Sequence, residues 1–190
     1  MIRADFFQSD PLICAPGLIG KSLVWGQCTG RIVETEAYLA KDDEAAHTFT
    51  RPSARAFIER NEPGTAYVYF NYGVHWMLNV LVKGGATDGF VLIRALEPLR
   101  GIPLMQKKRG VRELTRLCSG PGKLTQALAI TGRHHEIDLC ADPRHCFAGG
   151  ADPAVEVVAD KRIGITRSTD LPWRFTLRGS PFISARARPG

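Results

Sequence analysis

The sequence has 190 residues, of which 44% are hydrophobic, and a chain of this size can build one sizeable core without disulfide bonds. Its formal net charge of +6 favours polyanionic partners such as nucleic acid or an acidic membrane surface, and no segment approaches the ~18 consecutive apolar residues of a membrane span. The first residues do not resemble a signal peptide and the five cysteines are irregularly spaced, which argues against a secreted disulfide scaffold and favours a cytoplasmic protein. From the length we expect one domain over residues 1–190.

The predicted elements begin with a helix that Asp10 and Pro11 favour, followed by a hairpin. Pro52 occupies the favoured first position of a later helix, which ends before the strong turn of residues 61–64. Residues 134–153 have a loop-like composition, and the last five residues are expected to fray. In chain order, we predict helices at 10–19, 42–47, 52–60 and 123–130, and strands at 22–25, 30–38, 66–70, 75–82, 90–95, 155–158, 162–165 and 173–177.

Strand patterns outnumber helical patterns, and hairpins replace the regular alternation of strand and helix. This arrangement favours an α+β fold, in which a single compact domain has a curved, mainly antiparallel β-sheet flanked by helices. The hairpin of residues 66–82 turns at Asn71, Tyr72 and Gly73, and we expect it to protrude from the domain.

Two glutamates lie close together in the predicted strand over residues 32–38. Because side chains alternate along a strand, Glu34 and Glu36 share a face with Ile32 and Tyr38. On an isolated strand such a pair is most simply a solvent-exposed face, since acidic side chains are mostly exposed. A catalytic carboxylate beside a tyrosine is the second interpretation, and the choice depends on what lies next to the strand.

The hairpin that follows contains a cluster of tyrosines. Tyr67 and Tyr69 lie in its first strand, Tyr72 lies at its tip, and Asn79 interrupts an apolar run in its second strand. Aromatic clusters in strands most often pack in a core or across strands, but a tyrosine at a turn tip is exposed and a buried amide needs a partner. A stacking platform, an exposed aromatic wedge and a positive charge are features that a base-flipping enzyme requires.

Three segments in particular, at residues 31–38, 43–47 and 63–69, closely resemble the alkyladenine (3-methyladenine) DNA glycosylase family in sequence, order and spacing. The resemblance covers nearly the whole chain and continues at 72–73, 79, 91–98, 119–124, 162–165 and 173–175. Long colinear segments of this kind are far more specific than one short motif. The chain departs from the family pattern at Ala54 and Ala56, where we expect a different helix entry or DNA contact.

The resemblance implies a monofunctional DNA glycosylase of base excision repair. Such an enzyme flips a damaged purine from duplex DNA, hydrolyses its N-glycosidic bond and leaves an abasic site; the lesions implied are 3-methyladenine, 7-methylguanine, hypoxanthine and etheno-adenine. The implied roles are Glu36 as the general base, Arg94 near the catalytic water and a backbone phosphate, Tyr38, His47, Tyr69 and Asn79 around the flipped base, and Tyr72 in the space that the base vacates.

Some of these residues also have ordinary structural interpretations. Arg94 can form a structural ion pair, which is compatible with a catalytic role. His47 can cap a short helix. Lys123 follows a Gly-Pro-Gly turn that lacks the residues of a P-loop, so it either contacts a DNA phosphate at a helix start or lies in solvent.

No cofactor or metal is expected, because the spacing of the late His and Cys residues fits none of the familiar zinc patterns. The expected partner is double-stranded DNA containing damaged purines, bound by a monomer that has no membrane partner. If the protein is prokaryotic, we expect DNA binding to associate it with the nucleoid. Two alternatives remain open. One is a hydrolase of free nucleosides, and the other is a damage-binding protein without catalytic activity.

Overall fold

The computed structural model describes residues 1–149 and 155–185. Part of the predicted loop at 134–153 and the predicted fraying of the last five residues therefore lie outside the described residues. No helix in the described part of the chain is long and apolar enough to cross a membrane. The described helices are α1 (Ala4–Phe7), α2 (Pro11–Gly17), α3 (His47–Thr50), α4 (Pro52–Arg60), α5 (Ile102–Arg109), α6 (Leu114–Leu117) and α7 (Pro121–Leu128).

A curved antiparallel sheet flanked by helices organises the described residues, which confirms the predicted α+β fold. Its strands are β1 (Ser22–Trp25), β2 (Cys28–Leu39), β3 (Ala66–Asn71), β4 (His75–Val82), β5 (Gly89–Arg100), β6 (His145–Ala148), β7 (Val157–Asp160) and β8 (Arg174–Leu177). They follow the order β3-β4-β5-β2-β1-β6, while β8 pairs with the second half of β2 and with β7. The long strand β2 is thus the centre of the sheet, with β5 on one side and β1 and β8 on the other.

The two faces of this sheet bury different side chains. One face carries Val68, Val80 and Ile93 into the main core, where helices α2 and α7 also contribute apolar residues. The opposite face carries a smaller cluster, in which Tyr67 and Phe90 pack against α4. Because side chains alternate along each strand, the polar residues of β2 and β5 that share the second face lie beside this smaller cluster.

Most predicted elements are confirmed near their predicted positions. They include the helices at α2, α4 and α7, the strands β1 to β5 and the late strand β8. Strand β7 begins two residues later than predicted. Ala54 is a residue of α4 and is fully buried in the smaller cluster. Helix α4 forms at the predicted position although Ala54 and Ala56 depart from the family pattern.

Two predicted elements are wrong. Residues 42–46 form no helix, because the carboxylate of Asp43 accepts hydrogen bonds from the backbone N–H groups of Leu39 and Ala45 and so holds a turn; the helix begins only at His47. Residues 162–165 form no strand, because Arg162 is drawn into the interior by buried acceptors. The pairing register of β2 also shifts between Ile32 and Glu34, so Ile32 packs in the main core instead of sharing the face of the glutamates.

Several short elements were not predicted, namely α1, α5, α6 and β6. Helix α5 begins after Gly101, whose φ of 75° is favoured by glycine, and it is strongly basic at its end, so an apolar period is hard to detect. Strand β6 is four residues long and lies at the edge of the sheet beside β1. Such short elements are stabilised by packing against the sheet and the core, and their own sequence periodicity does not predict them.

Candidate active site

The second face of the sheet opens into a cleft of about 720 Å³. Its floor is formed by strands β3, β4 and β5, and its walls by two segments that follow β2 and β7. A cavity of this size holds a small aromatic molecule with room to spare, as ligand clefts of 300–1,000 Å³ do. The lining residues with chemical groups of interest are Tyr38, His47, Arg51, Tyr67, Tyr69, Tyr72, Asn79, Arg94, Ile163 and Arg167.

The floor is assembled by strand register. Tyr67 of β3 pairs with Asn79 of β4, Asn79 pairs with Leu92 of β5, and Leu92 pairs with Glu36 of β2. Glu36 pairs in turn with Arg174 of β8, so one row of residues crosses five strands. Directly opposed residues in neighbouring strands have side chains close together. The row therefore places Asn79, the predicted base-binding amide, two strands away from Glu36, the predicted catalytic carboxylate.

Glu36 is fully buried at the base of the cleft, and each of its oxygens has a partner. Oε2 accepts a hydrogen bond from the hydroxyl of Tyr38 (2.9 Å) and one from Nη1 of Arg94 (3.2 Å), while Oε1 accepts from the backbone N–H of Ile163 (2.8 Å). Burial raises the pKa of Glu36, and Arg94, the Ile163 N–H and Tyr38 partly oppose the rise. Oε1 keeps one free acceptor direction, since a carboxylate oxygen can accept two hydrogen bonds.

Glu34 is also fully buried, which excludes the interpretation of the two glutamates as a solvent-exposed face. Its carboxylate accepts from Nε of Arg94 (3.2 Å), from Nε of Arg174 (2.7 Å) and from the hydroxyl of Ser184 (2.7 Å). Arg94 therefore joins the two carboxylates, and its predicted ion pair is present. Arg174 reaches Asp160 as well (3.0 Å), so the buried charges form one network across β2, β5, β7 and β8.

Aromatic rings form one wall of the cleft. His47 at the start of α3 lies 4.2 Å from the ring of Tyr69 between centroids, and its Nδ1 is 3.3 Å from the hydroxyl of Tyr67. Burial lowers the pKa of His47 to about 4, with the nearby cation of Arg51 acting in the same direction, so the imidazole is neutral at physiological pH. His47 is the first residue of its helix and no side chain caps the preceding position. Its contacts are with the aromatic wall of the cleft.

Asn79 is buried on the floor, and its side-chain amide N–H donates to the carbonyl of Tyr67 (3.2 Å). This bond satisfies one amide donor. The other donor and the carbonyl oxygen of the amide remain for a ligand in the cleft, which Asn79 lines.

The tip of the hairpin carries Tyr72, which is 86% exposed and has a φ of 50°. Left-handed backbone is uncommon for a residue other than glycine, and here it directs a large aromatic side chain into solvent at the mouth of the cleft. Val74 beside it is also exposed. The expected exposure of Tyr72 at the hairpin tip is therefore present, and its role as a wedge in DNA stays a prediction.

Lys123 lies on the first turn of α7 and is exposed, with its Nζ 3.4 Å from the hydroxyl of Ser119. The helix begins after Gly120 without a side-chain cap, and Pro121 of its first turn lines the cleft. Free backbone N–H groups at this helix start therefore lie at the edge of the cleft. Both interpretations of Lys123, a phosphate contact or a solvated lysine, remain compatible with this position.

The late His residues make structural contacts with neighbouring side chains and backbone. His145 pairs with Asp142 (2.7 Å), the ring of Trp25 lies against His134 and His145, and the Val68 N–H donates to His135. Within the described ranges no three acidic, His or Cys side chains come together as metal ligands would. The expectation of a site without metal stays a prediction.

Four residues near the site were not predicted as functional. Asp43 and Arg162 form a fully buried ion pair, Arg174 completes the network of Glu34, and the guanidinium of Arg51 lies 6.0 Å from the ring of Tyr69 in the cleft. The sequence signal for Asp43 and Arg162 was their place within two segments that carried the family resemblance. Nothing in the sequence indicated that they meet.

The sequence is similar to those of known DNA glycosylases. The family model described as "Methylpurine-DNA glycosylase (MPG)" matches residues 5–181. A relative from Rhodopseudomonas palustris (strain BisB18), named "Putative 3-methyladenine DNA glycosylase", is 46% identical over 184 residues, which cover 96% of this chain and 90% of the relative. Relatives of the same name from Agrobacterium fabrum (strain C58 / ATCC 33970) and Chlorobaculum tepidum (strain ATCC 49652 / DSM 12025 / NBRC 103806 / TLS) are 44% and 41% identical, over 99% and 100% of this chain and 94% and 92% of the relatives.

Proposed function

Because the chain belongs to the methylpurine-DNA glycosylase family, whose enzymes hydrolyse N-glycosidic bonds in DNA, we propose that it excises damaged purines from duplex DNA with Glu36 as the general base. The single observation that carries the proposal is the position of the Glu36 carboxylate, which lies buried beneath an aromatic cleft and is held by Tyr38, Arg94 and Ile163. The lesion classes are those of the family resemblance, namely 3-methyladenine, 7-methylguanine, hypoxanthine and etheno-adenine.

The reaction replaces the purine by water at the anomeric carbon of the deoxyribose, through a transition state with oxocarbenium character. Oε1 of Glu36 takes a proton from that water, whose oxygen bonds to the anomeric carbon as the bond to the purine breaks, and the negative charge of the carboxylate stabilises the positive charge that develops on the sugar. A cationic methylated purine leaves as the neutral base, and a neutral lesion such as hypoxanthine takes up a proton from solvent or a cleft donor as it leaves. Arg94 keeps Glu36 and Glu34 close together without strong repulsion, because its guanidinium hydrogen-bonds to both carboxylates.

The flipped base binds among the aromatic residues of the cleft. Tyr38, His47 and Tyr69 present ring faces to a purine, and a cationic methylated purine stacks well on such faces. A neutral His47 does not repel that cation, which fits its lowered pKa of about 4. Asn79 supplies the amide groups that hydrogen-bond to the purine edge and distinguish one purine from another.

The DNA is held open at the mouth of the cleft. Tyr72 enters the space that the flipped base vacates, and its stacking offsets part of the few kcal/mol that unpairing and unstacking cost. Lys123 and the free N–H groups at the start of α7 contact a backbone phosphate near the cleft. We propose that the protein acts as a monomer, as one glycosylase domain over residues 1–190, and works on DNA of the nucleoid.

The enzyme leaves the abasic site intact. A glycosylase that also cuts the strand uses an amine to form a Schiff base with the sugar. None of the described residues that line the cleft is a lysine, which supports a monofunctional enzyme in which water is the nucleophile.

The deciding experiment incubates the protein with a duplex that contains one hypoxanthine or one 3-methyladenine, and measures free base and alkali-sensitive sites. We expect both products from the duplex and no strand cleavage without alkali. Release from a free nucleoside but not from the duplex would instead indicate a nucleoside hydrolase. Tight binding of the lesion duplex without release would indicate a damage-binding protein.

A further inference from the structure

A fully buried ion pair lies directly behind the candidate active site. Nη1 and Nη2 of Arg162 donate to the two carboxylate oxygens of Asp43 at 2.6 and 2.8 Å, and both side chains are entirely shielded from solvent. The two residues are 119 positions apart in the sequence. They come from the two segments that form the walls of the cleft, one after β2 and one after β7.

On one wall, Asp43 fixes the turn that follows β2. Its carboxylate accepts from the backbone N–H of Leu39 (3.2 Å) and from that of Ala45 (3.1 Å). Ala45 and Glu44 line the cleft, and helix α3 begins two residues after Ala45, at His47. The conformation of this wall therefore depends on the carboxylate of Asp43.

On the other wall, Arg162 is fixed from several directions. Nη1 also donates to the carbonyl of Ala37 (3.0 Å), and the guanidinium lies between the rings of Tyr38 (4.6 Å from the centroid) and Trp173 (5.0 Å). The next residue, Ile163, donates its backbone N–H to Glu36 Oε1. Tyr38, which the guanidinium covers, donates its hydroxyl to Glu36 Oε2. Two of the three hydrogen bonds on Glu36 thus come from groups that contact or adjoin Arg162.

We propose that the Asp43–Arg162 pair is a positioning device for the general base, which holds the Ile163 N–H and the Tyr38 hydroxyl on Glu36 and so directs its free acceptor toward the catalytic water. The proposal rests on the role proposed for Glu36. A buried ion pair contributes little net stability compared with well-packed apolar side chains, whereas it fixes geometry through its directional hydrogen bonds. The two residues touch neither the substrate nor the water, and they act only through Glu36 and the walls.

The main test is Asp43→Asn, which nearly preserves size and removes one charge. A misplaced catalytic group can cost on the order of 100-fold in rate, so we expect kcat for base release to fall by about that factor. A smaller rise in KM is expected beside it, because the turn held by Asp43 leads to Ala45 and His47 of the cleft wall. The pH profile separates positioning from simple electrostatics. Loss of a negative charge alone would lower the pKa of Glu36, whereas weaker donation from Ile163 and Tyr38 raises it, because both donors oppose the effect of burial.

The acidic limb of the kcat/KM profile is therefore expected to move to higher pH in Asp43→Asn. The groups that face Glu36 are Arg94 from β5, Tyr38 and Glu34 from β2, and the Ile163 N–H, and none of them is changed. An acidic limb that moves to lower pH, or that does not move, would overturn the proposal.

Two further variants keep the test decisive if Asp43→Asn folds poorly. Arg162→Lys keeps the charge but loses the planar fork, so it is expected to show the same fall in kcat and the same direction of pH shift. Met105→Ala is the matched control, since it removes buried volume in the main core at a residue that does not line the cleft, and it lowers Tm without touching Glu36.

We expect Met105→Ala to lower Tm as much as the pair variants do. Its kcat, calculated per folded molecule, should nevertheless equal that of the unmodified protein. Equal kcat losses in Met105→Ala and in the pair variants would reduce the ion pair to a stabilising role and refute the proposal. If the unmodified protein releases no base from the lesion duplex, the proposed function fails. If it does release base and the pair variants match it, only the positioning role fails.

Discussion

Replacement of Glu34 by glutamine is expected to destabilise the protein substantially, although Glu34 is not the proposed base. The carboxylate is fully buried and accepts hydrogen bonds from Arg94, Arg174 and Ser184. Glutamine has nearly the same shape but carries no charge. The variant therefore leaves two buried guanidinium groups with one acidic partner fewer.

The cost can be worked from the contacts. Removal of one partner from a buried ion pair costs about 3–5 kcal/mol, because the remaining charge stays buried without compensation. Here Arg94 keeps Glu36 and Arg174 keeps Asp160, so we expect a loss near the lower end, about 3 kcal/mol. For a chain of this length a loss of that size lowers Tm by about 6–12 °C.

Thermal unfolding followed by circular dichroism, with urea unfolding as a second measurement, tests this value. Glu97→Gln is the matched control, since Glu97 forms a partly exposed pair with Arg31 at 3.6 Å and such pairs are worth about 0–1 kcal/mol. If Glu34→Gln loses no more stability than Glu97→Gln, the buried ion pairs of Glu34 do not stabilise the fold.

Two further predictions concern activity. Burial holds the pKa of Glu36 above the 4.5 of an ordinary glutamate. Because the base must be ionised, base release should fall as pH drops through this raised pKa. A single-turnover pH profile whose acidic limb lies below 4.5 would contradict this expectation. Tyr72→Ala should weaken binding of a lesion duplex by about 1–3 kcal/mol, the range for a lost base–aromatic stack, as measured by fluorescence anisotropy. Phe49→Ala, at another exposed aromatic residue, is its control. Equal affinities of the unmodified protein and both variants would exclude intercalation.

The parts of the fold that the sequence predicted are those with local causes. The hairpin of β3 and β4 follows from β-branched and aromatic residues around a polar turn, and helix α4 follows from Pro52 at its first position. The placement of Glu36 and Tyr38 on one face followed from alternation alone, and the structure joins them by a hydrogen bond. These features need no knowledge of distant partners.

The parts that the sequence did not predict depend on contacts between distant residues. The helical pattern at 42–47 fails because the Asp43 carboxylate, which Arg162 holds in the interior, accepts from the backbone N–H groups of Leu39 and Ala45 in a turn. The strand pattern at 162–165 fails because Asp43 and the carbonyl of Ala37 bind Arg162 in the interior. Local pattern gives no information about a partner that is 119 residues away. The burial of Glu34 and Glu36 likewise requires the cations of Arg94 and Arg174, which come from two other strands.

The role of Glu36 is tested most directly by Glu36→Gln under single-turnover conditions, with a duplex that contains hypoxanthine or 3-methyladenine. The substitution nearly preserves size and polarity and removes basicity, so we predict that base release falls by about 100- to 10,000-fold while lesion binding is largely retained. Glu113→Gln, at an exposed position, is the control and should release base at the rate of the unmodified protein. Release by Glu36→Gln at that same rate would contradict the assignment of the general base.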